Sequence, residues 1–220
     1  LINNEIKKLE KVFNISSSGS FKIEKNLDNL EKNLTIETLT EDLQIKKNII
    51  SKLKFKDNIF SNTSSLSPHD LGKTINILHF MNPITTPIVE VYKNKNYENV
   101  DFDKVINSLK NLSYHIIEVK NIPGFLVNRI LFKNLSYFFY LLENEKNTVS
   151  DLKKIYKNIF NNDPIKIVNM IGLDTCLNIL ENLNKSDKSF YVSKLITESV
   201  KNGILGYKNK KLLKIWIFIS

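Results

Sequence analysis

Around residue 121 the hydrophobic pattern changes its period, and that change limits the fold more than any other feature of the chain. Before it, the short runs "LTIETL", "DNIFSNT", "INILHFM", "IVEVY" and "HIIEV" are separated by stretches with helical spacing. After it, "GFLVNRILFKNLSYFFYLLENE", "VSDLKKIYKNIF", "PIKIVNMIGLDTCLNILENL" and "SFYVSKLITESVKN" are helical, with no strand between them. Strands alternating with helices predict a mostly parallel α/β sheet, and the second part predicts an all-helical domain. "NIPG" punctuates the junction. The expected domains are therefore residues 1–121 and 122–220. Within the first, "LINNEIKKLEKVF" reads as a helix and "FKIEKN" as a strand. "EDLQIKKNIISKL" reads as a helix with its acids in the first turn, where the macrodipole favours them, and "FDKVINSLKNL" as another helix. The first helix of the second part is apolar on more than one face, which suits a central helix or a subunit interface.

The 220 residues, 42% of them hydrophobic, suffice for one large domain or two small ones with real cores. No apolar run approaches the length of a membrane span and no secretory segment opens the chain, so no membrane partner is expected. The single cysteine, Cys176, excludes an internal disulfide framework and Cys-based zinc spacing; no metal is expected, and a reducing cytoplasm is the expected compartment. A formal charge of +9 invites a nucleic-acid reading. The residue bias argues against it: alanine is absent, Arg129 is the sole arginine, and the lysines are spread along the chain. Lysine does not replace arginine in bidentate base readout, so nucleic acid is not an expected partner. Ala, Arg, Gly and Pro have GC-rich codons, so the composition reflects an AT-rich coding background. Where such residues survive they mark positions that need them, and they gather in "HFMNP", "IPGFLVNRIL", "DPIKIVNMIGLD" and "GILGYK".

One of those stretches carries a histidine. His79 ends one predicted strand and Glu90 lies in the next. An imidazole with a reference pKa of about 6.5 suits proton transfer near neutrality. A carboxylate behind it fixes the tautomer and stabilises the imidazolium. The same two residues also make an ordinary satisfied core pair, and their types alone leave both readings open. Ser64, in "SNTSSLS", follows a predicted strand at the carboxyl edge of the sheet, where such folds bind ligands; by itself the string is a Ser-rich turn. Glu41 and Lys46, taken alone, are two charges on an amphipathic helix. Asn82 precedes Pro83 in a turn, and Asn128 is a polar residue at a helix start. Arg129 reads as structural, Cys176 as packing, and His69 and His115 have no partner pattern.

Taken together, "IETLTEDLQIKK", "SNTSSLS", "HFMNP…IVEVY", "IPGFLVNRIL", "IGLDTCLNIL" and "NGILGYK" stand in an order that resembles the L-3-hydroxyacyl-CoA dehydrogenase family, within it the short 3-hydroxybutyryl-CoA dehydrogenase type, over residues 30–210. The resemblance implies an α/β Rossmann-like NAD-binding domain followed by an all-α dimerisation domain. It implies oxidation of a 3-hydroxyacyl-CoA to the 3-ketoacyl-CoA, or the reverse, by a homodimer. It makes His79 the catalytic base, Glu90 its partner, and Ser64 a contact of both substrate oxygen and cofactor. Asn128 then reaches across the domain cleft to the 3-oxygen, while Glu41, Lys46 and Asn82 face NAD.

The chain also departs from the family pattern. The family's first strand, its G-x-G-x-x-G loop and the acid that grips the adenosine ribose have no counterpart here; such a β-α-β unit takes ~30 residues. The expectation is an amino-terminally truncated form whose Rossmann domain lacks its first β-α-β unit and which binds NAD weakly. The spacing from Ser64 to His79 is compressed, and that from His79 to Glu90 is one residue short. A one-residue change within a strand flips the side chain to the other face, so the intervening loop has to absorb it. "KNKKLLKIWIFIS" stands where the family has a Gly-Phe-Tyr segment. The alternatives are a non-catalytic or degenerate relative retained for its dimeric helical domain, and a related hydroxy-acid dehydrogenase.

Overall fold

The computed structural model describes residues 26–29, 34–55, 58–81, 86–95 and 102–214. The expected opening helix, all but the last residue of "FKIEKN", and Asn82 lie outside them. The chain divides into two compact units, Leu1–Phe125 and Leu126–Ser220.

Among the described residues, the first unit holds a five-stranded sheet in sequence order: β1 (Thr35–Glu37), β2 (Ile59–Ser61), β3 (Asn76–Phe80), β4 (Ile88–Tyr92) and β5 (His115–Glu118). Helix α1 (Leu43–Lys52) links β1 to β2, the short α2 (Pro68–Leu71) links β2 to β3, and α3 (Phe102–Asn111) links β4 to β5. Those three connections join parallel strands, as helical crossovers do, whereas the short link from β3 to β4 makes that pair antiparallel. The expected mostly parallel sheet is therefore mixed at one step.

Side chains alternate across the sheet with the two-residue period of a strand. Ile59 and Ile77 face Ile50 and Leu53 of the α1 segment, together with Leu71, Ile75 and Phe125. Phe60, Leu78, Val89 and Val91 face Phe102 and Leu109 of α3. Burial on both faces explains why these strands read as near-continuous apolar runs. The acids of "EDLQ" sit ahead of α1 rather than in its first turn: Asp42 is the N-cap, accepting a hydrogen bond from the Ile45 amide at 2.9 Å.

The second unit comprises α4 (Val127–Asn144), α5 (Val149–Phe160), α6 (Pro164–Ile171), α7 (Leu173–Ser186) and α8 (Lys194–Lys201). Its core joins Phe132, Leu135, Phe138 and Phe139 of α4 to Leu152 and Tyr156 of α5, Val168 of α6, Leu180 of α7 and Ile196 of α8. The stretch "PIKIVNMIGLDTCLNILENL" is two helices. Gly172 breaks it with φ +98°, a backbone conformation that a side chain disfavours. Arg129 pairs with Asp187 at 3.3 Å and packs over the Phe190 ring. The division into units falls after Phe125, whose ring is fully buried in the core of the sheet unit.

Candidate active site

β1, β2 and β3 run parallel, so their carboxyl ends fall at one edge of the sheet. Glu37 ends β1, Ser61 ends β2, and His79 lies one residue from the end of β3; all three are buried. A sheet edge of this kind is where open α/β folds bind ligands.

His79 and Glu90 are direct partners in the β3–β4 ladder, the register running Ile77↔Tyr92, Leu78↔Val91, His79↔Glu90. Direct partners in an antiparallel pair share a face. His79 Nδ1 lies 2.7 Å from Glu90 Oε2, and both side chains are out of solvent. The imidazole also sits 5.9 Å from the Phe125 ring, centroid to centroid. The shortened spacing thus leaves the pair on one face, because the ladder holds from Ile77 to Phe80 and the change is confined to the connection between the strands.

The turn after β2 lies beside the end of β3. Asn62 Oδ1 accepts the Phe80 amide at 2.9 Å, and the Asn62 amide donates to the Glu37 carbonyl. Glu41 Oε1 gathers that turn: it accepts the Thr63 hydroxyl at 2.6 Å, the Ser64 amide at 2.9 Å, the Ser65 amide at 2.7 Å, and the Ser64 and Ser65 hydroxyls. Burial pushes the Glu41 carboxyl up, but the Thr63 hydroxyl, the Ser65 amide and the Lys46 ammonium outweigh it and hold the carboxyl below its ordinary range.

Lys46 is 0% exposed, unlike the solvated helix charge its sequence context suggests. Its ammonium meets Glu37 Oε1 at 2.8 Å, Glu37 Oε2 at 3.0 Å and the Leu39 carbonyl at 2.9 Å, with Glu41 Oε2 at 3.7 Å. Glu37, which sequence reasoning did not single out, also accepts the Ser61 hydroxyl at 2.6 Å and the Leu39 amide. Within the sheet unit the structure therefore joins Glu41, Lys46 and Ser64 in one network and His79 with Glu90 in another. Asn128 is the second residue of α4 and belongs to the helical unit.

Residues 5–122 match the family model of the 3-hydroxyacyl-CoA dehydrogenase NAD binding domain, and residues 124–214 match that of the C-terminal domain of the same enzymes. The chain belongs to the 3-hydroxyacyl-CoA dehydrogenase family. A relative named 3-hydroxybutyryl-CoA dehydrogenase, from Clostridioides difficile, is 28% identical over 218 residues, which span 92% of this chain and 76% of that protein. The rat mitochondrial hydroxyacyl-coenzyme A dehydrogenase is 30% identical over 167 residues, 70% of this chain and 53% of that one. The crystal structure of (S)-3-hydroxybutyryl-CoA dehydrogenase PaaH1 from Ralstonia eutropha superposes with a TM-score of 0.75 at 27% identity, covering 96% of this chain and 82% of that chain.

NAD is the cofactor of the matched N-terminal domain. The carboxyl edge carries hydrogen-bonding groups of the kind that NAD's hydroxyls and amide require. Glu41 commits Oε1 to the turn while its side chain stays 20% exposed, and it stands beside the hydroxyl-bearing Thr63–Ser65 segment. Acceptor and hydroxyl groups of this kind match a ribose and a carboxamide. The sequence has no G-x-G-x-x-G run for the pyrophosphate.

Proposed function

We propose that this chain interconverts a 3-hydroxyacyl-CoA, such as 3-hydroxybutyryl-CoA, and the corresponding 3-ketoacyl-CoA with NAD, His79 serving as the base and Glu90 as its partner. The observation that carries this reading is the buried His79–Glu90 pair, 2.7 Å apart at the sheet's carboxyl edge, in a chain of this family. An ionised carboxylate only accepts hydrogen bonds, so the proton facing Glu90 sits on Nδ1, and Nε2 keeps its lone pair. Nε2 takes the hydroxyl proton of the alcohol as the carbonyl forms, and Glu90 stabilises the resulting imidazolium. NAD, when bound, supplies the two-electron acceptor for the hydride from carbon 3. Ser64 bonds the substrate oxygen from a turn whose amides Glu41 fixes. Asn128 contributes a substrate contact and Asn82 a cofactor contact in the same reading.

The reading includes a homodimer formed through the helical unit. It is supported by the exposed Ile130, Ile155, Ile159, Phe160 and Met170. Ile130 and Phe160 also border an apolar cavity of about 360 Å³ lined by Leu131, Tyr156 and Ile167. Among the described residues no helix is long and apolar enough to cross a membrane. A cytoplasmic location belongs to the same proposal, in keeping with one cysteine that is buried and free, its thiol pushed up to about 12 by burial and by Asp174.

The test is His79→Gln. General-base catalysis contributes about 10²- to 10⁴-fold, so kcat for 3-hydroxybutyryl-CoA oxidation falls by that factor while the KM for the acyl-CoA stays near the wild-type value. Turnover close to wild type would remove the mechanism.

A further inference from the structure

At the end of the β3–β4 ladder away from His79, two buried asparagines hold each other. Asn76 opens β3 and is 0% exposed; Asn94 follows β4 and is 1% exposed, between the exposed Lys93 and Lys95. We propose that Asn76 and Asn94 are positioning residues for the reaction: a clasp that pins the register of β3 against β4 and thereby keeps Glu90 opposite His79. The proposal deepens the functional reading above and rests on it.

The Asn94 main-chain amide donates to Asn76 Oδ1 at 2.8 Å. The Asn94 side-chain amide donates to the Lys73 carbonyl at 2.8 Å and to the Ile75 carbonyl at 3.4 Å, at the entry to β3. In an antiparallel pair each step forward along one strand is a step back along the other. The register Ile77↔Tyr92 therefore continues to bring Asn94 beside Ile75. All of these hydrogen bonds fit that register, and a shifted one breaks them. Asn76 lies ~10 Å along the strand from His79 and on the opposite face, the one that Leu78 presents to α3. It acts on His79 only through the strand.

The ladder needs such a pin. Hydrophobic pattern fixes a register firmly when one face of a strand is buried and the other is not. β3 and β4 are buried on both faces: Ile77 packs with the α1 segment, and Leu78, Val89 and Val91 pack against α3. In "IVEVY" apolar residues flank Glu90 on either side. A slip of one residue sets Val89 or Val91 opposite His79 and turns Glu90 to the α3 face. Stability does not account for Asn76. Its Nδ2 is buried and has no hydrogen-bond partner among the described residues. A buried donor left unpaired is destabilising, whereas valine suits a strand and carries no such group. What the asparagine adds is the Oδ1 acceptor for Asn94. Buried polar groups that set a register at a cost in stability are known from coiled coils.

The experiment compares the full chain with Asn76→Val, Asn94→Ala and the double variant, each alone and combined with Glu90→Gln. Three readouts are taken: cross-strand proton NOEs for Ile77–Tyr92 and Leu78–Val91, the ¹⁵N shifts of the His79 ring, and kinetics with 3-hydroxybutyryl-CoA and NAD. In Asn76→Val and in the double variant the NOEs weaken. The two ring nitrogens, distinct in the wild type, move together as Glu90 ceases to hold one tautomer. kcat falls about tenfold, as for loss of the Glu90 charge, while the acyl-CoA KM changes by less than about twofold. Because the clasp acts through Glu90, adding Glu90→Gln lowers kcat by less than about twofold further. Asn76→Val exchanges an unpaired side-chain amide for an unpaired main-chain amide, so its urea midpoint stays near the wild-type value, and it decides the matter if the double variant does not fold. Wild-type NOEs in Asn76→Val overturn the proposal. So does a shifted ladder with unchanged kcat, and so does a loss of kcat that adds in full to that of Glu90→Gln. A wild-type chain with no turnover at all would defeat the functional reading, while the NOEs and ring shifts would still decide whether the clasp keeps Glu90 opposite His79.

Discussion

His79 draws its proposed chemistry from two neighbours. Phe125 packs 5.9 Å from the imidazole and excludes water from it, and Glu90 sets its hydrogen-bonding direction from directly across the ladder. A hydrogen bond to a charged group inside a protein is worth ~1.5–3 kcal/mol, enough to keep the ring in one orientation. Glu90→Gln keeps an oxygen that accepts from Nδ1 but lacks the charge that stabilises imidazolium. Its kcat falls about tenfold, less than in His79→Gln. In the His79→Gln background the second substitution has little further effect, because residues acting as one unit are not additive. A double-mutant cycle on kcat checks this; full additivity would leave the base and discard the dyad. The types His, Glu and Ser advertise such chemistry in the sequence. Glu37 did not stand out there, since a single acid in an alternating strand segment looks like a solvent-facing residue until its partner is known.

At the scale of elements, the "GILGYK" stretch explains its own glycine. The Gly206 amide bonds the Lys211 carbonyl at 2.8 Å, and the Tyr207 amide bonds the Asn169 carbonyl of α6 at 2.9 Å. The Asn169 side chain then accepts the Leu213 amide at 2.8 Å, which docks the segment at Leu213 on that helix. Gly206 has φ +76°, and a methyl group there lands on the Asn169 backbone. Gly206→Ala combines an unfavourable φ with a backbone clash and destabilises the helical unit by about 2 kcal/mol. Urea denaturation followed by helical circular dichroism measures it, and a loss below about 0.5 kcal/mol would show that the docked segment contributes little. The split of one long apolar stretch at Gly172 is a second case. A 3.6-residue pattern continues smoothly through a single glycine, and only the observed φ reveals the break.

For the whole molecule, the proposed homodimer rests on apolar side chains exposed on the helical unit. Ile159 is 68% exposed on α5, with Ile155 one turn before it and Phe160 beside it. A stable interface buries ~800 Å² per partner with an apolar centre, and these side chains supply such a centre. The wild-type chain sediments as a dimer at about micromolar concentration. Ile159→Glu sediments as a monomer with an unchanged far-ultraviolet spectrum, since the residue supports no core. A wild-type monomer, or a dimeric Ile159→Glu, would remove the proposed interface.

What the amino-acid order determined by itself is what repeats locally. The change of period near residue 121 announced a sheet unit followed by a helical one, and the ordered motifs announced the family. Periodicity arises from neighbouring residues on one element, so it survives in a single line of sequence. The partners were decided by tertiary structure. His79 meets Glu90 because a short link makes β3 and β4 antiparallel and in register. Lys46 is buried because Glu37 arrives from β1 to neutralise it, and Phe125 joins the sheet unit because its ring finds that core. Each of these contacts joins segments that only chain folding brings together. The free energy of a buried charge or ring depends on which groups surround it, and residue type alone does not supply that.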